Sequence, residues 1–338
     1  MEFIDWFAGI GGFHTGLEQA GMTCAGYCEI DTYARRSYEA IYDTKELWTA
    51  TDIRYVRGWD VPDVSLYSFG FPCQDISIAG RKRGIHKGTR SGLFFEIMRI
   101  IDEKEEDKPE WLVAENVRHL LSIDDGWGFY TVLTEMGNRG YAVEWQVYNT
   151  KNYGLPQNRE RLYLVGHLGG NGGRKVLPQP RQATNPTTIK QVGNFMKNRI
   201  FGNNPQTGRV YDPSGIAPTL NTCGGGSHEP KIIVNGVFPS GKYQRGRVFD
   251  VNGISATVMA SDYKEPQKIE TAKGIRKLTP RECWRLQGFS DEQFEKAAAI
   301  HSNSQLYKQA GNSVSVPIVK EIGESILRYE KEWEGNNE

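Results

Sequence analysis

The segment Phe3-Ile4-Asp5-Trp6-Phe7-Ala8-Gly9-Ile10-Gly11-Gly12 indicates how the first half of the chain folds. Its apolar start predicts a buried strand over residues 3–7, and its glycines predict a tight turn into a helix that continues through residues 16–20. Small residues at such a turn let the backbone approach a ligand, and a helix N-terminus favours negative charge. The pattern is not the dinucleotide signature Gly-x-Gly-x-x-Gly, because His14 occupies the place of the third glycine.

Residues 1–168 continue this alternation of short apolar runs with amphipathic segments, which predicts a doubly wound α/β sheet. Further strands are expected at residues 23–29, 64–69, 111–114, 142–148 and 161–167. Helices are expected at residues 31–42, 93–105 and 129–139. After Gly274 helix signals return: Thr279-Pro280-Arg281-Glu282 predicts a helix start, and a last amphipathic helix is expected from about 315 to 329.

Composition is that of an ordinary soluble protein. The 338 residues are enough for one large and one small domain, with 38% hydrophobic and 24% charged residues. No run approaches the roughly 20 apolar residues that a membrane span requires. The N-terminus lacks a basic region followed by a cleavage site, so no secretory signal is expected.

The five cysteines are odd in number and scattered, which suits a reducing compartment such as the cytoplasm rather than a disulfide framework. Cys24 and Cys28 are too isolated from other cysteines or histidines to predict a zinc site, so no metal is expected.

A different composition begins at Gly169 and continues to about Glu270. This segment is rich in Gly, Asn, Pro and Thr and predicts a loop-rich, mainly β module. It contains 13 Lys and Arg against 6 Asp and Glu, whereas the rest of the chain has 28 against 35. That asymmetry within a neutral chain is expected if one module faces a polyanion, although basic loops that merely aid solubility remain an equal alternative on charge alone.

The same segment holds an internal repeat. Residues 209–220 read RVYDPSGIAPTL, and residues 247–258 read RVFDVNGISATV, an offset of 38 residues. Two copies are too few for a solenoid, so a paired unit of two similar hairpins is predicted.

Two acidic residues support the glycine turn as a cofactor site. Glu29 ends the second predicted strand, where it is placed to hydrogen-bond ribose hydroxyls, and Asp52 lies at the next strand end. Because a tight β–α turn needs glycines for its own geometry, the turn alone is weak evidence. Together with Glu29 and Asp52 it favours an adenosyl cofactor, and Phe7 is expected to stack on a base or shield a sulfonium.

Cys73 follows an apolar strand in the sequence Gly70-Phe71-Pro72-Cys73-Gln74. Proline fixes the backbone before the thiol, and the polar residues after it predict a loop. The next basic stretch, residues 80–90, supplies cations that lower a thiol pKa and contact phosphates. Most intracellular cysteines are small core residues, however, so Cys73 alone leaves a nucleophile and a core residue as equal alternatives.

Polar residues at two other strand ends complete the pattern. Glu115, which follows a strand, can hydrogen-bond a ring nitrogen and assist its protonation; otherwise it is a helix cap or surface acid. Arg159 and Arg161 alternate at a strand entry, where they would share one face and hold a base carbonyl or organise the carboxylate. An ordinary surface salt bridge is the alternative.

Taken together these motifs, in this order, resemble the DNA cytosine-5 methyltransferase family over nearly the whole chain. The last two family motifs resemble residues 281–289, RECWRLQGF, and residues 309–314, QAGNSV. The resemblance implies a Rossmann-like catalytic domain of residues 1–168 and 271–338, with a target-recognition domain of residues 169–270 inserted. It also implies S-adenosylmethionine as methyl donor and a flipped-out cytosine attacked at C6 by Cys73.

The resemblance further implies site residues. The catalytic set is Cys73, Glu115, Arg159 and Arg161. The cofactor-binding set is Phe7, Gly9, Ile10, Gly11, Gly12, Glu29, Ile30, Asp52, Ile53, Pro72, Leu93, Asn312, Ser313 and Val314. The DNA-binding set is Gln74, Ser77, Arg81, Arg83, Arg209, Thr219 and Thr257.

Three alternatives are weaker. An RNA cytosine-5 methyltransferase is disfavoured by Gln74-Asp75 and by the large insert, and an amino-methyltransferase by the lack of an Asn/Asp-Pro-Pro-aromatic motif. A non-catalytic DNA binder would not need Cys73, Glu115 and Arg161. The expected partner is therefore double-stranded DNA, and the expected form is a cytoplasmic monomer of a bacterial or phage modification enzyme. A separate cognate endonuclease is compatible with this, and the target sequence cannot be read.

Overall fold

The computed structural model describes residues 1–71, 92–170, 174–181 and 279–334, together with the main chain of short strands between Gln191 and Lys277. Contacts divide the chain into two compact units. The first comprises residues 1–148, 160–180 and 316–338, and the second comprises residues 149–159 and 181–315. These compact units have different bounds from the two functional domains expected from the sequence, whose assignment stays a prediction.

The first unit is built on a seven-stranded sheet with the order β3-β2-β1-β4-β5-β7-β6. Its strands are β1 (Glu2–Trp6), β2 (Thr23–Cys28), β3 (Trp48–Ala50), β4 (Leu66–Gly70), β5 (Trp111–Val117), β6 (Tyr141–Asn149) and β7 (Glu160–Leu168). The pairs β1–β2, β2–β3, β1–β4 and β4–β5 are parallel, whereas β5 and β7 are antiparallel. The predicted doubly wound α/β fold is confirmed, and β3 is the short strand whose end was expected at Asp52.

Helices connect the strands of this unit: α1 (Gly12–Ala20), α2 (Thr32–Ile41), α3 (Gly92–Glu103), α4 (Trp127–Gly137) and, at the C-terminal end, α8 (Val316–Glu334). Strands buried on both faces read as continuous apolar runs, and the large core lies between these strands and α3 and α4. Its fully buried members include Ile4, Phe69, Ile97, Leu112 and Leu164.

Helices α1 and α8 pack closely through two glycines. A Cβ on Gly16 would lie 2.5 Å from a Val319 side-chain atom, and one on Gly323 would lie 2.8 Å from the Ala20 Cβ. Neither glycine can therefore gain a side chain without separating the helices.

The second unit contains the helices α5 (Pro280–Arg285), α6 (Asp291–Ala298) and α7 (Asn303–Asn312). Thr279 begins α5 with a capping box that includes Glu282, as the sequence predicted. Its short strands are β8 (Gln191–Asn194), β9 (Arg209–Tyr211), β10 (Lys231–Ile232), β11 (Val248–Asp250), β12 (Lys268–Thr271) and β13 (Gly274–Lys277). The last of these ends two residues before Thr279, where the predicted helix begins.

Each copy of the internal repeat has a strand near its start, β9 and β11, with β11 beginning one repeat position later than β9. Each strand pairs in parallel with one about 20 residues later, β10 and β12 respectively. These pairs are not the predicted hairpins, because hairpin strands are antiparallel. The remainder of each copy lies outside the described residues.

Candidate active site

The order of the sheet places a ligand site at the carboxyl ends of its central strands. The strands that follow β1 in sequence, β2 and β3, lie on one side of it, whereas β5, which follows β4, lies on the other side of the sheet. The direction in which the sheet is built therefore reverses between the neighbours β1 and β4. In open α/β sheets ligands bind at such a switch point. The predicted cofactor residues of the first unit follow the carboxyl ends of β1, β2 and β3, with Leu93 on α3.

The turn between β1 and α1 has an unusual backbone. Phe7, Gly9 and Gly11 have φ values of 56°, 58° and 81°, and Phe7 is one of few non-glycine residues with positive φ in the described chain. Such conformations concentrate at ligand-binding turns. A Cβ at Gly9 would meet nothing within 4 Å, so the turn leaves space for a ligand to approach the backbone.

Glu29 joins this turn to the end of β2. Its Oε2 accepts the Gly9 N–H at 2.7 Å, and its Oε1 accepts the Asp31 N–H at 2.6 Å. Burial raises the pKa of Glu29, and these main-chain hydrogen bonds offset part of that rise. A carboxylate has about four acceptor positions, so Glu29 retains acceptor capacity for a ribose hydroxyl. The residues present therefore fit an adenosyl cofactor.

Asp52, after β3, has a partner that sequence reasoning missed. The Arg54 Nε donates to Asp52 Oδ1 at 2.9 Å, and Nη2 donates to Oδ2 at 2.5 Å. Arg54 lowers the pKa of Asp52 through these bonds. The adjacent Ile53 is buried in the core, whereas Ile30, after β2, is 57% exposed. An exposed apolar side chain beside Glu29 suits packing against a cofactor base.

The carboxyl end of β5 carries the pair predicted to handle a base. Arg161 Nε lies 3.0 Å from Glu115 Oε1, and both side chains are largely buried, at 8% and 12% exposed. Glu115 is the register partner of Gly70 at the end of β4, and its Oε2 would lie 3.7 Å from a Cβ there. Gly70, the register partner of Glu115, precedes Cys73 by three residues in the sequence.

Asn116, to which the sequence analysis assigned no role, hydrogen-bonds Phe71, two residues before Cys73 in the sequence. Its Nδ2 donates to the Phe71 carbonyl at 2.9 Å, and its own Oδ1 accepts the Val117 N–H. Both groups are buried, so these hydrogen bonds fix the end of β4 against the end of β5.

In the second unit, Arg159, which precedes β7, hydrogen-bonds the last family motif, residues 309–314. Its Nη1 and Nη2 donate to the carbonyls of Gly311 and Ser313 at 3.3 and 2.7 Å, and the arginine is buried. Two of the three predicted residues of the last motif, Ser313 and Val314, are buried, whereas Asn312 is exposed. Arg159 therefore orders this segment through its main chain.

Three cysteines are described, and all are buried. Burial raises the pKa of Cys24 and of Cys28 to about 12, which disfavours the thiolate that a nucleophile needs. Cys73, Pro72, Gln74, Ser77, Arg81, Arg83, Thr219 and Thr257 lie outside the described residues, and only the main chain of Arg209 is described.

Comparisons with known proteins agree over almost the entire chain. A family model described as C-5 cytosine-specific DNA methylase matches residues 1–328. The type II methyltransferase M.NlaX of Neisseria lactamica is 34% identical, with 96% of each chain covered. The orphan methyltransferase M.SPBetaI of Bacillus phage SPbeta is 31% identical, with 97% of each covered. The crystal structure of S. pombe Dnmt2 methyltransferase has a TM-score of 0.65 at 17% identity, covering 97% of this chain and 98% of that one, which supports the fold.

The doubly wound sheet with its Glu29-supported glycine turn, together with the family match, identifies an S-adenosylmethionine-dependent methyltransferase. This chain belongs to the C-5 cytosine-specific DNA methylase family. It is thus a DNA cytosine-5 methyltransferase with S-adenosylmethionine as methyl donor. No helix among the described residues is long and apolar enough to span a membrane.

Proposed function

We propose that Cys73 is the nucleophile of this methyltransferase and that Glu115 and Arg161 activate the cytosine. The observation that carries this proposal is the buried Glu115–Arg161 pair at the end of β5, beside the strand end that leads to Cys73. A buried carboxylate held by a guanidinium has a fixed orientation, which suits a group that must meet one ring nitrogen.

The proposed chemistry begins with a cytosine flipped out of the duplex, because stacked C5 and C6 atoms cannot be attacked. The Cys73 thiolate forms a bond to C6, while Glu115, which enters the step as the carboxylic acid, donates its proton to N3. Arg161 stabilises negative charge at O2 and orients Glu115. When bound, S-adenosylmethionine supplies the methyl group that C5 takes. Loss of the C5 proton to a base then lets the C6–sulfur bond break and the thiolate leave.

In this proposal Arg159 positions the main chain of residues 311–313. Its hydrogen bonds to the Gly311 and Ser313 carbonyls commit part of its guanidinium to the main chain. It therefore acts on the last motif, which is predicted to line the cofactor site, rather than on the base directly.

The proposed cofactor site uses the side chains and backbone of the residues predicted from the sequence. Glu29 would accept ribose hydroxyls, Ile30 would pack on the adenine, and the backbone of residues 9–12 would face the amino-acid part. Supporting observations are the open space above Gly9 and the acceptor positions that Glu29 retains.

The segment 169–270 is proposed as the target-recognition domain, with Arg209, Thr219 and Thr257 at the DNA. Its excess of basic residues supports binding to phosphates. Gln74, Ser77, Arg81 and Arg83 are proposed to contact DNA from the loop that carries Cys73. The relatives include a type II enzyme and an orphan phage enzyme, so modification with or without a separate endonuclease is consistent with them. A cytoplasmic monomer would suffice for this activity.

The proposal is tested with Cys73→Ala in the full-length protein. Base-resolution detection of 5-methylcytosine on plasmid DNA should find one short methylated motif with the wild type and none with the variant. Equilibrium binding of S-adenosylmethionine should be the same for both proteins, and Cys24→Ala, at a buried cysteine outside the proposed site, is the matched control that should keep methylation. Normal methylation by Cys73→Ala would disprove the assignment, and transfer to tRNA alone would shift the substrate to RNA.

A further inference from the structure

The cofactor turn is held from a second side by Tyr42, which immediately follows α2 and belongs to no motif quoted above. The Tyr42 hydroxyl donates to the Gly11 carbonyl at 2.7 Å and shares a 2.5 Å hydrogen bond with Thr15 Oγ1. The Gly11 carbonyl also accepts the Thr15 N–H at 2.9 Å. The Gly11 carbonyl thus links the β1–α1 turn both to the start of helix α1 and to Tyr42.

The Tyr42 ring occupies the space beside Gly11. A Cβ on Gly11 would overlap that ring, so only glycine fits at this point. At Gly9, by contrast, an added Cβ would meet no atom within 4 Å. The ring also stacks on His14, with 3.8 Å between ring centroids and 12° between planes. Stacking and hydrogen bonding together fix the position of the Tyr42 hydroxyl.

The N-cap residue of α1, Gly11, has no side chain to cap the helix, and among the first N–H groups that of His14 donates to the buried Asp5 carboxyl at 3.3 Å. Glu29 restrains the turn through the Gly9 N–H, and Tyr42 restrains it through the Gly11 carbonyl. Burial also raises the pKa of Tyr42 above its ordinary value of 10.0, so the hydroxyl stays a donor near neutral pH.

We propose that Tyr42 is a positioning residue for S-adenosylmethionine. It holds the turn in the conformation in which Gly9 and Gly11 have left-handed backbones, without touching the cofactor itself. This inference rests on the cofactor site proposed above at the same turn. Its loss is expected to weaken cofactor binding and to leave the chemical step unaltered.

The test compares Tyr42→Phe with Tyr27→Phe in the full-length protein. Tyr27 stacks on Tyr38 at 4.1 Å, and its hydroxyl donates to Glu39 rather than to the turn. Tyr42→Phe should raise the Kd for S-adenosylmethionine, measured by calorimetry without DNA, roughly three- to tenfold. Its kcat at saturating cofactor should stay within about twofold of the wild type, and Tyr27→Phe should change neither quantity.

A second variant, Thr15→Val, keeps Tyr42 but removes the hydroxyl that shares its hydrogen bond, and should weaken binding less than Tyr42→Phe. This variant decides the question if Tyr42→Phe does not fold. An unchanged Kd in the folded variants, or equal weakening by Tyr27→Phe, would overturn the proposal. Because the readout is binding without DNA, failure of the Cys73 assignment would leave this result interpretable.

Discussion

At the scale of single residues, the site depends on groups whose partners are distant in sequence. Glu115 and Arg161 are 46 positions apart and meet because β5 and β7 are antiparallel neighbours. The sequence predicted both residues but left an ordinary surface pair as an alternative for the arginines. Their burial favours a functional pair, because desolvated charges must be oriented and hydrogen-bonded.

Glu115→Gln is expected to lower kcat for DNA methylation by about 10²–10⁴-fold, because an amide keeps the shape but cannot supply a proton to N3. Methyl incorporation into DNA under saturating substrates measures this, and cofactor Kd should stay the same. Glu160→Gln, at the exposed pair with Arg118, is the matched control and should retain kcat. Near-wild-type turnover by Glu115→Gln would contradict its role.

At the scale of secondary-structure elements, local patterns predicted the main helices and strands because glycine turns and apolar runs are local signals. They gave no bounds for β3, which has only three residues, and missed the additional helices α6 and α7. The parallel partners of β9 and β11 were also missed, because strand pairing is a long-range property.

Gly16→Ala should reduce the free energy of unfolding by about 1–3 kcal/mol, because the new methyl group would overlap Val319 across the α1–α8 contact. Urea denaturation measures the change. Gly137→Ala, at a helix position with nothing within 4 Å, is the control and should be neutral or slightly stabilising. Equal effects of the two substitutions would argue against tight packing at Gly16.

His167 connects the end of β7 to neighbouring elements. Its Nδ1 lies 2.6 Å from the Gly170 carbonyl and its Nε2 lies 3.3 Å from Glu110 Oε1. Burial by itself would lower the pKa of His167, but hydrogen bonds to Glu110 and Gly170 and the charges of Glu110 and Glu330 raise it above 6.5 overall.

A raised histidine pKa stabilises the folded protein fully below the unfolded pKa of about 6.5 and progressively less as pH rises through the folded value. The Tm difference between wild type and His167→Gln should therefore be larger at pH 6 than at pH 9. Differential scanning calorimetry at both pH values tests this, with exposed His119→Gln as the control. A Tm difference independent of pH would show that the ion pair does not stabilise the fold.

At the scale of the whole molecule, the chain has zero net charge, but its charges are segregated along the sequence, and such segregation allows a neutral chain to bind a polyanion. The basic excess lies between Gly169 and Glu270, with further cations at residues 81–90 near Cys73. Net charge alone would have argued against a DNA enzyme, so the distribution is the informative quantity.

Arg81→Gln and Arg83→Gln should each reduce the slope of log K for DNA against log salt by about 1, if each arginine contacts one phosphate. Fluorescence anisotropy at several salt concentrations measures the slope. Lys331→Gln, on the exposed part of α8, removes the same charge and should leave the slope unchanged. Identical slopes in all four proteins would exclude phosphate contacts by Arg81 and Arg83.

The amino-acid sequence by itself determined the α/β class, the cofactor turn and the family, because these depend on local patterns and on the order of motifs along the chain. It also singled out Glu29, Glu115 and Arg161. Only the tertiary structure decided which groups meet: Arg161 with Glu115, Asn116 with Phe71, and Tyr42 with Gly11. These contacts join residues separated by 31 to 46 positions, and strand register and helix packing set them rather than any local propensity.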